Sequence, residues 1–127
     1  MKLTRKAFME KGAEVSAKRA MDFENMVKEK DASDSARMFP ALMVLMSGLT
    51  MNRLADNLGL TKEDNEVDVT KEMFDDAMSK VVADATSSEN ASIITGLETT
   101  IFCIELSDAL FGKEKADETK KADSWLF

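Results

Sequence analysis

Apolar residues recur at helical spacing in four stretches of the chain, and no stretch alternates apolar and polar positions for long. The pattern therefore predicts an all-α protein, a four-helix bundle. The first helix is expected over about residues 5–28. Thr4 stands as its N-cap, Leu3 and Phe8 are placed as a hydrophobic staple, and Phe8, Met9, Ala13, Ala20, Phe23 and Val27 follow its apolar spacing. Gly12 should weaken its middle by about 1 kcal/mol.

The second helix is expected over about 36–58, with caps among Ser33, Asp34 and Ser35 and a stop at Gly59. Pro40 disfavours helix at Phe39, so the helix should begin or kink at Pro40. The third is expected over 71–85. Thr70 caps it, Val69 staples onto Phe74, and Met73, Phe74, Ala77, Met78, Val81, Val82 and Ala85 form its apolar set. The fourth is expected over 89–111, capped by Ser88 and stopped by Gly112. Ile93, Ile94, Leu97, Ile101, Ile104 and Leu110 form its core stripe, widened by Phe102, Leu106 and Ala109. Two domains of organisation follow: a bundle over 1–112 and a polar, flexible tail over 113–127.

The stretch "FPALMVLMSGLTM", residues 39–51, is the most apolar of all and holds three of the ten methionines. Wound as a helix, Leu42, Leu45, Met46 and Leu49 cover one side, and Met43, Val44 and Met51 much of the other. Only 15 residues separate Arg37 from Arg53, short of the roughly 20 that span a bilayer, so no membrane span is expected. Two readings stay open. Either this is the central core helix, buried on several sides with Leu49 and Ile101 among the core residues, or its second face makes a homodimer or partner interface. Methionine's unbranched side chain adapts well to the latter.

Composition narrows the chemistry. At 127 residues with 44% apolar and 32% charged side chains, the chain is long enough for one core without staples. It contains no histidine and no tyrosine, which removes histidine triads and most zinc sites. No cofactor and no metal are expected. The single cysteine, Cys103, reads as a buried thiol and fits a cytoplasmic location. Proton transfer at neutral pH would need a tuned carboxylate, lysine or cysteine, and the candidate catalytic pair is Glu98 and Glu105, which share a face of the fourth helix. A non-enzymatic role is expected instead.

Two local patterns fail on inspection. Residues 51–74 resemble a helix-turn-helix around Ala55 and Gly59–Leu60, but the segment that would read DNA, "TKEDNEVDV", is acidic, so direct nucleic-acid binding is not expected. Residues 64–75 place oxygen-bearing side chains in an EF-hand register, but Val69 stands where glycine is needed and Asp75 where glutamate is.

Charge is the most informative feature. Residues 1–30 carry a net +3 and residues 54–112 a net −10, within an overall −7. Such asymmetry bears on association. The acidic half, with Asp64, Glu66, Asp68, Asp75 and Asp76, is the expected contact for a basic protein partner. In size and charge the chain resembles immunity proteins, antitoxins and phage counter-defence proteins, which implies an acidic inhibitor or regulator of a nucleic-acid-acting protein. The alternative is an assembly component forming a helical homo-oligomer. The tail ends in Trp125, Leu126 and Phe127, three large apolar residues expected to dock on the bundle, a second copy or a partner.

Overall fold

The computed structural model describes residues 1–29, 34–87 and 93–112, the side chains of 34–36 excepted. These residues form an all-α bundle of four helices, α1 (Arg5–Glu29), α2 (Asp34–Asn57), α3 (Lys71–Ser87) and α4 (Ile93–Phe111). One feature has no counterpart in the sequence pattern. Lys2–Leu3 (β1) pairs antiparallel with Val67–Asp68 (β2), Lys2 opposite Asp68 and Leu3 opposite Val67. Ser88, expected to cap the fourth helix, and Trp125, Leu126 and Phe127 lie outside the described residues.

The helix ends follow the local chemistry. Thr4 Oγ1 accepts the Ala7 amide at 3.1 Å, and Leu3 and Phe8 are both buried, which completes the cap and staple of α1. Thr70 Oγ1 accepts the Met73 amide at 3.1 Å, with Val69 and Phe74 wholly buried beneath it. At the end of α2, Gly59 takes φ +78°, its amide donates to the Asp56 carbonyl at 3.2 Å, and the Leu60 amide donates to the Ala55 carbonyl at 2.9 Å. This is a Schellman motif, and the left-handed residue it needs is glycine. Gly112, at φ +76°, follows α4.

Consecutive helices run antiparallel. Arg5, at the start of α1, reaches Asn52, Asp56 and the Leu60 carbonyl at the end of α2. The β1–β2 pair and the Val69 amide, which donates to the Met1 carbonyl at 2.8 Å, hold the start of α3 beside the start of α1. Gly96, near the start of α4, lies against Thr86 at the end of α3: a Cβ added there would stand 2.9 Å from the Thr86 methyl. The α1–α2 and α3–α4 hairpins are the most extensive packings.

The core sits towards the end that holds the starts of α1 and α3. Phe8, Leu54, Leu60, Val69, Phe74, Val81, Phe102, Cys103 and Leu106 are its most buried members. Gly12 belongs here for a reason that propensity does not give. A Cβ at Gly12 would run into the buried side chain of Met51, so the glycine permits the close approach of α1 to α2.

Three expectations are corrected. α2 does not begin at Pro40: it starts at Asp34 and carries Pro40 within it. Phe39 stays helical despite the following proline, and its ring packs on Phe23 of α1 at 5.1 Å. That tertiary contact opposes the local bias of a pre-proline residue. Second, α2 is not buried on several sides. Met43, Ser47, Thr50, Met51, Leu54, Ala55 and Leu58 face the bundle, whereas Leu42, Leu45 and Leu49 are exposed.

Third, α4 presents the opposite face from the one its largest aliphatics mark. Ile93, Ile94, Leu97, Ile101 and Ile104 are exposed, and of the expected stripe only Leu110 is buried. The buried face is Gly96, Glu98, Thr99, Phe102, Cys103, Leu106, Ser107 and Leu110. On this face Gly96 lets α4 approach α3 closely at Thr86, and Glu98 meets Arg19 of α1.

Candidate functional site: an ion-paired clamp and two apolar faces

Glu98 and Glu105, one helical face of α4, are brought together by a residue that charge counting did not single out. Arg19 of α1 donates through both terminal nitrogens to Glu98: Nη1 to Oε1, and Nη2 to Oε2 at 2.9 Å. Its Nε lies 3.3 Å from Glu105 Oε2. The Arg19 and Glu98 side chains are almost wholly buried, while that of Glu105 is 47% exposed. Here both carboxylates face one guanidinium, and both oxygens of Glu98 are engaged. The arrangement does the work of a clamp between α1 and α4. Beside it a groove of about 450 Å³ is lined by Val15, Lys18, Asp22, Glu105, Asp108 and Ala109, into which Glu98 does not project.

Cys103 is buried in the core, and burial pushes its thiol from the ordinary 9.0 up to about 12. Between about pH 9 and 12 the native thiol keeps a proton that the unfolded chain has lost. Its contribution to stability therefore declines as pH rises through that window. A thiol reagent at pH 8 should label the native protein at least about 100-fold more slowly than the urea-unfolded chain, since the thiolate is the reacting species. Equal rates would place Cys103 at the surface. Among the described residues, no group of three or more His, Cys, Asp or Glu side chains is arranged to hold a metal ion.

The acidic residues gather at one end of the bundle. Asp64 and Glu66 lie in the connection after α2, Asp68 in β2, and Asp75 and Asp76 in the first turns of α3. Asp64, Glu66, Asp68 and Asp76 are exposed, and Asp75 is half-buried. The positive start of the chain answers part of this charge. The Met1 amine lies 3.0 Å from Asp68, Arg5 lies 3.0 Å from Asp56, and within α3 Lys71 lies 3.6 Å from Asp75. The EF-hand register over 64–75 is broken by the start of α3 at Lys71.

The opposite end of the bundle is apolar on the outside. On α2, Met38, Leu42, Val44, Leu45 and Leu49 are 49–70% exposed. On α4, Ile93, Ile94, Leu97, Ile101 and Ile104 are 43–83% exposed. On α4 all of these residues, and on α2 all but Val44, lie opposite the buried side, so each set points away from the bundle, while Val44 borders α1. Polar residues resume farther along both helices, at Asn52, Arg53 and Asp56 of α2 and at Glu105 and Asp108 of α4. Next to the α2 face, a groove of about 230 Å³ runs between α1 and α2, lined by Met9, Gly12, Ala13, Ser16, Ala17, Val44, Ser47, Gly48 and Met51. Ser47 Oγ donates to the Met43 carbonyl at 2.7 Å, while the buried Ser16 Oγ has no hydrogen-bond partner.

By length and composition the segment Arg37–Asn57 of α2 is apolar enough to cross a membrane, and a third of its apolar window is buried inside the bundle. The α4 face is the feature that sequence reasoning assigned to the interior. The signal for it was present: α4 carries more apolar side chains than one core-facing stripe accommodates. No protein-family model matches the chain, and neither the curated proteins nor the solved structures contain a match to it.

Proposed function

We propose that this chain is a non-enzymatic protein-binding module, and that the outer faces of α2 and α4 are its contact surfaces. The observation that supports this reading is the pair of exposed apolar sets at one end of the bundle, four large side chains on the outer face of α2 and five on that of α4. Apolar patches beyond a few hundred Å² are rare on the surface of a monomer and mark sites of protein interaction. Within this class the module acts in the cytoplasm as an inhibitor, regulator or assembly component.

A second reading has its own support. The exposed Asp64, Glu66, Asp68 and Asp76, with Asp75 beside them, form an acidic end that suits a basic protein partner such as a nucleic-acid-acting enzyme. The ion pairs with Met1, Arg5 and Lys71 draw charge from that end, which is why the apolar faces come first.

One experiment separates the two. Partner capture from host extract is compared for the native chain, for Leu97→Lys with Ile101→Lys, and for lysine at Asp64, Glu66, Asp68, Asp75 and Asp76. The apolar reading expects the α4 pair to lose the partner at all salt concentrations, with helicity unchanged by circular dichroism. The acidic reading expects the five-site variant to lose it, and the native complex to weaken steeply as salt rises. Retention of the partner by the α4 pair and by Leu45→Lys would reject the apolar faces.

A further inference from the structure

We propose that the outer face of α2 is a self-association surface whose occupant is a second copy of this chain, held antiparallel across a two-fold axis. The inference rests on the protein-binding reading above and names the partner at one of its two faces.

The first argument is spacing. The outward residues Met38, Leu42, Leu45 and Leu49 are separated by four, three and four positions. That is the seam of a helix pair that packs knobs into holes. The spacing also reads the same in both directions, so an antiparallel copy presents the same stripe in register. Met38 then meets Leu49 of the other copy, and Leu42 meets Leu45. Each contact occurs twice, as an isologous two-fold interface requires.

The second argument is charge. A chain of net −7 repels its copies over most of its surface. α2 has no charged residue between Arg37 and Arg53, and the acidic residues Asp64 to Asp76 gather at the other end of the bundle. This face can lie against itself with no like charges opposed.

The third is area. The α2 stripe with Val44 continues into the groove over Ala13, Ala17 and Gly48, where a Cβ at Gly48 would meet nothing within 4 Å. The groove extends the apolar surface beyond the seam, towards the roughly 800 Å² that each partner contributes to a standard interface. The outward stripe of α4 also reads symmetrically, with Ile94, Leu97, Ile101 and Ile104 spaced three, four and three, but it is bordered by the half-exposed carboxylate of Glu105, whereas α2 has no charged residue between Arg37 and Arg53.

Sedimentation equilibrium on the full-length chain tests this. The expected mass is twice 14.1 kDa at micromolar concentration. Leu45→Glu should raise the dimer dissociation constant at least about 100-fold with helicity retained, because it sets two carboxylates near the two-fold axis. Leu97→Glu should leave the mass unchanged. Register is read separately: a mixture of Leu42→Cys and Leu45→Cys chains should form a crosslinked heterodimer faster than either variant forms its own. Monomer mass at all concentrations overturns the proposal, as does a dimer broken by Leu97→Glu and not by Leu45→Glu. A monomer that still loses its captured partner on Leu45→Lys overturns self-association and leaves the protein-binding reading standing.

Discussion

Phe102→Ala should lower the unfolding free energy by about 3–5 kcal/mol, whereas Ile101→Ala, its neighbour in the chain, should cost less than about 1 kcal/mol. The two side chains are of similar apolar character and differ by one step around the helix. Phe102 is 1% exposed within the core, and Ile101 is 43% exposed. Removing the ring takes its transfer energy and leaves a cavity in the core cluster to which Leu106 and Phe74 also belong. Removing the Ile101 side chain deletes contacts already shared with water. The same contrast should appear on α2, where Leu54 is wholly buried and Leu49 is 61% exposed: about 2–5 kcal/mol for Leu54→Ala, and under about 1 kcal/mol for Leu49→Ala. In a domain stabilised by roughly 5–15 kcal/mol, the core changes should move the urea midpoint far and the surface changes little. Comparable losses at Ile101 and Phe102 would show that the outer face of α4 is covered in the folded monomer. If the α2 faces pair between copies, Leu49→Ala acquires a concentration-dependent cost, and the comparison belongs at dilutions where the chain is monomeric.

The helices that the sequence made legible are those whose local and tertiary demands agree. Thr4 with Leu3 and Phe8, and Thr70 with Val69 and Phe74, each fix a helix start through residues a few positions apart, and the caps formed as their spacing required. α4 was read on its wrong side because it has two apolar sides. Hydrophobicity favours Ile93, Leu97, Ile101 and Ile104; packing favours the side where Gly96 clears Thr86 and where Glu98 meets Arg19. Neither Thr86 nor Arg19 is local to those positions, and Arg19 is separated from Glu98 by 79 residues. Periodicity carries no information about a partner so far along the chain. α2 was legible in the more limited sense that its apolar residues exceed one face. Whether the excess fills a core or faces outward is decided by the number of helices around it, and among the described residues no helix covers the side carrying Leu42, Leu45 and Leu49. The clustering of Asp64 through Asp76 was legible from charge alone, but its partial neutralisation by the Met1 amine at Asp68 depends on the β1–β2 pairing, which two-residue strands do not announce.

Truncating either member of the Arg19–Glu98 pair should cost about 3–5 kcal/mol, as much as the largest core deletion. The cost arises from what is left behind. Both side chains are about nine-tenths buried, so Arg19→Ala leaves the Glu98 carboxylate buried without its counter-charge, and Glu98→Ala leaves a guanidinium with only the half-exposed Glu105 to answer it. Glu105→Ala should by contrast cost at most about 1 kcal/mol, since water already screens that carboxylate. Replacing both partners together, as in Arg19→Met with Glu98→Leu, should recover most of the loss, because desolvating two charges offsets much of what their pairing returns. The double-mutant cycle built from Arg19→Met, Glu98→Leu and the pair isolates this coupling. A double variant close to native stability, with each single variant several kcal/mol below it, is the expected outcome in urea unfolding. Single variants within half a kcal/mol of the native chain would mean that α1 and α4 are held by apolar packing alone and that the clamp is incidental to the bundle.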